Sequence, residues 1–308
     1  MQDKTQILEE ARRKAKEELQ RYRAMILKQL VLPLAGAMLG IGFVIFFVWT
    51  TQQLSFLTPF IVLLAPFFFY FGVKKCFEKY LAPVRAMIMS LETEPQTAED
   101  YVNRAHAFEV HDFHEAAAED YRNALAIEPD IDYLWYSLAE VLWLELHQED
   151  EALSIVEKLS KTDGDFQAEA FSLQGRILAE KDPAAALNCF DKAIEIEPHD
   201  YEHHLLRLRV YIDTEQFDRA VEAIKETTNL LKRHNGINRY STLYELRGLF
   251  AMKQNRFADA VKELTVAIRH CSTATEHYRL RSDAYEALGY IDKAEADRRK
   301  VQELGSET

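Results

Sequence analysis

The 308-residue chain is 48% hydrophobic and 28% charged, with only ten glycines and eight prolines. That is ample material for a core, and so little Gly and Pro excludes a turn-rich all-β sandwich and favours long helices. The net charge of −13 is uneven: residues 1–96 carry twelve basic and eight acidic side chains, whereas 97–308 carry twenty-five and forty-two, a balance that phosphate backbones repel and that argues against a nucleic-acid partner.

Residues 1–28 read as a charged juxtamembrane helix in which Ile7, Leu8, Ala11, Ala15, Leu19 and Tyr22 form a narrow apolar stripe. Such a helix suits a membrane surface, a partner helix or plain solvent. From Gln29 to Val73 there are 45 residues without a charge. One helix of that length would be roughly 68 Å long, against a hydrocarbon core of about 30 Å. The polar break Thr50-Thr51-Gln52-Gln53 divides the run into two spans, about 30–49 and 54–73, each close to the ~20 residues needed to cross. Basic residues flank both outer ends (Arg21, Arg23 and Lys28; Lys74, Lys75, Lys79 and Arg85) and none lies between the spans. The positive-inside rule then predicts a transmembrane hairpin (29–73) with both termini cytoplasmic, in an integral protein of a bacterial inner membrane. A hairpin dipping into one leaflet is the alternative. Gly36 and Gly40 form a GxxxG pair, suited to packing the spans together or to oligomerisation.

Residues 74–96 continue with Phe77, Tyr80, Leu81, Val84, Ile88 and Leu91 at helical spacing, which predicts a connecting helix that covers the first helical element beyond residue 97.

From residue 97 onward the chain repeats itself. One copy carries Ala105, Phe108, Ala117, Tyr121, Ala124 and Pro129, the third carries Phe171, Gly175, Ala186, Phe190, Ala193 and Pro198, the fifth carries Tyr244, Gly248, Phe257, Ala260, Leu264 and Ala267, and three further copies stand between and after them. The second, with Trp135, Ala139, Leu142 and Ala152, is the most divergent. This pattern resembles the tetratricopeptide repeat, a helix–turn–helix of 34 residues whose helices touch at small residues. The resemblance implies an all-α chain in which 97–308 form a solenoid of about six stacked hairpins. Register slips once, in Leu231–Ser241, which predicts a lengthened helix and a loop around Asn235-Gly236. Arg298, where inner copies carry an apolar residue, marks the last helix as a polar cap.

The seventh position of four copies is Arg: Arg104, Arg207, Arg247 and Arg281. Sixteen residues later stand Asp120, Glu263 and Asp297 in three of them, which predicts an ion pair across each hairpin. Ala223 holds that position for Arg207, which is left to meet something else. The family resemblance further implies that first helices line a groove for a protein or peptide segment. By position, that groove offers Tyr136, Trp143, Arg176, Leu205, Arg207, Arg209, Leu249, Met252 and Arg279. The Lys/Asn clamp that some family members use for a C-terminal carboxylate is not matched, because Val102, His106 and Ser137 stand in its place.

His106, His111, Asp112 and His114 cluster near one turn, and His203-His204 form a second group. Solvated side chains are the expectation for the first, and no metal site is predicted from either. Cys76, Cys189 and Cys271 lie far apart without a ligand spacing. No phosphate-cradling glycine loop, HExxH or GxSxG occurs. The sequence therefore points away from an enzyme or a cofactor and toward a membrane-anchored scaffold or adaptor that helps assemble or organise a membrane complex. An accessory integral subunit of a channel, transporter or secretion apparatus is the alternative.

Overall fold

The computed structural model describes residues 4–26, 86–233 and 240–305, all helices and short turns. Among the described residues no helix is long and apolar enough to cross a membrane. The two expected spans, Gly36 and Gly40, and Tyr80 and Leu81 of the connecting helix lie outside the described residues. The chain divides into two compact units at His147/Gln148, inside the divergent second copy.

The first unit holds α1 (Lys4–Ile26), helical turns at 86–92, α2 (Ala98–Val110), α3 (His114–Ile127) and α4 (Asp132–Leu144). A reciprocal capping box starts α2: Thr97 Oγ1 accepts the Asp100 N–H at 3.2 Å, and Asp100 Oδ2 accepts the Thr97 N–H at 3.0 Å. The stripe on α1 has found a partner within the chain. Ala11 and Ala15 are fully buried. Arg12 Nε donates to the Leu91 carbonyl at 2.7 Å, Lys16 pairs with Glu92 at 2.7 Å, and Lys14 Nζ donates to the His111 carbonyl at 3.0 Å. Small side chains allow the close approach, and the Lys and Arg stems carry their charges past it to the carbonyls. Ile88 and Leu91 are also buried.

The second unit runs through α5 (Glu149–Leu159), α6 (Gln167–Leu178), α7 (Pro183–Ile196), α8 (Tyr201–Asp213), α9 (Phe217–Arg233), α10 (Tyr240–Lys253), α11 (Phe257–His270), α12 (Thr275–Ala287) and α13 (Ile291–Gly305). From α6 onward each pair is a hairpin that packs on the next, and successive first helices (α6, α8, α10, α12) touch one another directly. They therefore share one face of the stack. As the slipped register predicts, α9 is the longest of the second helices, and its Leu231 is buried in a core shared with Leu205, Leu208, Leu243 and Phe250.

Three local devices recur, each traceable to the repeat. The turn between the two helices places one residue in the left-handed region: Asp112, Glu215, Asn255 and Gly289. Just beyond it an N–H reaches back five residues, as Phe113 to Phe108 (2.9 Å), Gln216 to Tyr211 (2.8 Å) and Tyr290 to Tyr285 (2.9 Å), which closes the first helix. Where the two helices cross, only a small residue fits: a Cβ on Gly175 would stand 2.7 Å from Phe190, and one on Gly248 2.6 Å from Leu264. Finally, the fourth residue of a first helix ties down the loop before it. Trp135 Nε1 donates to the Pro129 carbonyl at 2.8 Å, His204 Nε2 to Pro198 at 3.1 Å, and Tyr278 Oη to Ser272 at 3.1 Å. Arg298 is exposed on α13 and pairs with Glu286.

Candidate functional site

The seventh-position arginines divide scaffold from candidate binding residues. Arg104 grips Asp120 with two bonds (2.6 and 2.8 Å), Arg247 bonds Glu263 at 2.7 Å, and Arg281 grips Asp297 at 2.8 and 2.7 Å. All three predicted pairs therefore form, across antiparallel helices. Arg207 departs from its reading as an unengaged groove residue. It bonds Asp191 of α7 and Glu226 of α9, each at 2.8 Å. The reason is geometric: a first helix has a second helix on either side, so a position sixteen residues back is as close as one sixteen residues on.

Leu205 is a second correction, because it is buried in the α8–α10 core and faces no groove. Leu249 and Met252 are half-buried and pack against the core between α10 and α12, so only part of each side chain is available. Tyr136 is half-buried and its hydroxyl donates to Glu140 at 3.0 Å. Trp143 and Arg176 are half-buried near the ends of α4 and α6. Arg209 and Arg279 are exposed. Arg209 bonds Asp213 at 2.7 Å, and Arg279 pairs with Glu276 and with Asp283.

The structure brings the last two together on one charged face. The hydrogen bond from Arg279 holds the Glu276 carboxyl below the usual range, and Arg209, two first helices away, adds to it. Glu245 of α10 in turn acts on Arg279. Arg209, Glu245, Glu276, Arg279 and Asp283 thus form a mixed-sign strip along α8, α10 and α12. Guanidinium and carboxylate groups held this way, most of them on the surface, suit a polar peptide backbone and its charged side chains.

The histidines stand differently from their sequence reading. His111 is buried, not solvated, because the turn that carries it is covered by α1; burial pushes its imidazole below the usual value. His114 is half-buried, 3.4 Å from Glu145. His203 and His277 are buried at the third position of α8 and α12. His277 Nε2 faces Glu245 at 3.1 Å, and His203 meets Ser172 Oγ at 2.6 Å and Glu197 at 3.4 Å. Their shared register within the repeat was the available signal. Cys189 is buried, which pushes its thiol up, and Cys271 is half-buried.

This geometry is that of a stack of antiparallel helical hairpins whose first helices share one face. Residues 178–232 match the family model described as tetratricopeptide repeat. The fold of the hairpin array is the one seen in tetratricopeptide-repeat proteins. Among solved structures, PilW, described as a widely conserved type IV pilus biogenesis factor, is similar over 70% of this chain and 96% of its own, at 18% identity and a TM-score of 0.56. The Cut9–Hcn1 hetero-tetramer of APC/C is similar over 88% of this chain and 50% of its own, at 9% identity and a TM-score of 0.59. A tetratricopeptide repeat protein from Parabacteroides merdae ATCC 43184 covers 68% and 80% at 17% identity, with a TM-score of 0.52. At these identities the likeness is one of fold. Protein bimA of Emericella nidulans is 27% identical over 124 residues, and the matched part spans 40% of this chain but 15% of that protein.

Proposed function

We propose that this chain is a membrane-anchored scaffold. In this reading two spans, about 30–49 and 54–73, hold the repeat array against the cytoplasmic face of a membrane, and the first-helix face takes a segment of a protein partner to help organise a membrane complex. Binding is its activity, not catalysis. The observation that carries the anchoring is the meeting of the two flanks of the uncharged run: Arg12 with the Leu91 carbonyl and Lys16 with Glu92. Chain that leaves for a bilayer after α1 and is back beside α1 by residue 91 has crossed an even number of times or not at all. Two spans satisfy that condition and a single pass does not. It supports the same topology as the basic flanks, and it does so independently of charge counting.

Single cysteines at Gln6, Thr51 and Ser272, in a chain with its three native cysteines changed to Ser, test this in intact cells. Only the Thr51 position should react with a membrane-impermeant maleimide. Labelling at Gln6 or Ser272 refutes the orientation, and release of the chain by alkaline carbonate refutes the anchor. For the partner, photoreactive groups at Tyr136, Arg209 and Met252 should capture the same protein. Exchanging residues 29–73 for an unrelated hairpin separates the scaffold reading, which predicts retained function, from that of an accessory subunit whose spans contact other spans.

A further inference from the structure

The junction between the fourth and fifth copies exposes an apolar residue that the other copies cover. In the first five copies each second helix carries a fully buried Ala: Ala117, Ala152, Ala186, Ala220 and Ala260. The next residue is Ala118, Leu153, Leu187 and Val261 in four of them, and all four are buried or half-buried. In the fourth copy it is Val221, which is 54% exposed. The register slip at Leu231–Ser241 separates its helix, α9, from the hairpin that follows.

Val221 opens onto a cavity of about 320 Å3 lined by α9, the later part of α10 and the start of α11. Val221, Ile224 and Phe250 are its apolar members. Phe250 is 7% exposed and meets Phe217 edge to face with centroids 5.8 Å apart, so this wall is set by the core behind it. The rest of the lining is charged. Glu263 accepts from Arg247 at 2.7 Å and Asp259 from Lys262 at 3.0 Å, each through one oxygen, which leaves the second oxygen of each carboxylate able to accept an N–H. Arg256 is exposed, with its guanidinium 5.8 Å from the Phe250 ring centroid, and among the described residues no carboxylate lies within ion-pair distance of it. Three cations therefore meet two anions here, a local positive excess within the acidic part of the chain.

These features make three separate demands on an occupant: an aliphatic group, an anion beside it and N–H donors. The volume lies at the small end for ligand pockets, so it suits a side chain presented from outside better than a molecule enclosed whole. A peptide meets all three demands, whereas a fatty acid brings no N–H to Asp259 and Glu263. We propose that this cavity docks a short acidic segment of a protein partner, with an aliphatic side chain against Val221, Ile224 and Phe250 and a neighbouring Asp or Glu on Arg256. It shares no residue with the charged strip on the first helices. The inference depends neither on that strip nor on membrane anchoring.

The test offers a displayed library of random short peptides to the full-length chain, immobilised in detergent. Enriched peptides should carry Leu, Ile, Val or Met beside Asp or Glu. For one of them, synthesised with a fluorophore, anisotropy should show saturable binding that Val221→Glu and Arg256→Glu each weaken at least about tenfold. The same peptide with its acid changed to Lys should regain binding to the Arg256→Glu chain, a recovery that an unfolded variant cannot give. Arg209→Glu on the first-helix face and Arg219→Glu one repeat earlier should bind as wild type does. Absence of enriched peptides overturns the proposal, as does enrichment of basic or wholly apolar ones. Unchanged affinity in the Val221 and Arg256 variants places the peptide elsewhere and overturns it too. Laurate that displaces the peptide at equal affinity assigns the cavity to an acyl chain, with the same consequence.

Discussion

The three interhelical pairs share one chemistry and differ in burial, so they measure what desolvation does to an ion pair inside a single protein. Asp120 is fully buried and its partner Arg104 nearly so, Asp297 is 8% exposed, and Glu263 and Arg247 are 23% and 31% exposed. Replacing the acid by Ala leaves a guanidinium behind. At Asp120→Ala that charge stays buried, with the exposed Glu94 4.0 Å away as its remaining acid, and breaking such a buried pair costs about 3–5 kcal/mol. At Glu263→Ala the arginine is already hydrated, and the loss should be ~0.2–1 kcal/mol. Asp297→Ala should fall between, because Arg281 keeps its bond to Thr265 Oγ1 at 3.1 Å. The assay is urea denaturation followed by circular dichroism, with hydrogen exchange of α2 and α3 as the local readout for Asp120. Arg104→Met/Asp120→Leu should restore most of what Asp120→Ala removes, since the cost lies in the orphaned charge and not in the missing attraction. Equal losses at Asp120 and Glu263, or no recovery in the double replacement, would refute the reasoning.

Gly175→Leu should destabilise by about 1–3 kcal/mol through overpacking against Phe190, and Gly175→Ala/Phe190→Leu should recover part of it in the same denaturation experiment. Glu215 holds a left-handed backbone at φ 58°. Glu215→Gly should therefore raise the melting temperature, by an amount equivalent to about 0.5–1 kcal/mol. Burial lowers the imidazoles of His111 and His204. With folded values below the unfolded one of about 6.5, both contribute stability near neutrality that is lost as pH falls through that value. Glu169, raised in the fold, acts in the opposite sense at lower pH. Melting temperature should thus drop between pH 7 and 5, and less so in a His111→Gln/His204→Gln variant. Ala15→Glu should undock α1, seen as faster hydrogen exchange across residues 4–26 while α10–α13 are unchanged.

Within the described residues, what could be read from the sequence is what depends on neighbours. The helices, their small crossing residues and the pairs sixteen apart arise from a repeat that sets the same local geometry each time, so Asp120, Glu263 and Asp297 fell where spacing put them. Exposure along the first helices was legible only by position: Arg209 and Arg279 are exposed there, whereas Leu205 belongs to the core because the enlarged α8–α10 contact encloses it.

Tertiary structure decided what joins distant parts of the chain. The amphipathic stripe of α1 said that it needed a surface; that the surface is the Leu91 carbonyl, 79 residues on, and the His111 carbonyl, 97 residues on, no periodicity could specify. Arg207 found its acids on both sides because each first helix has two neighbours, and Ser172 met His203 because α6 and α8 stack. A repeat encodes its own hairpin in its spacing, but partners that meet across hairpins are chosen by how those hairpins pack.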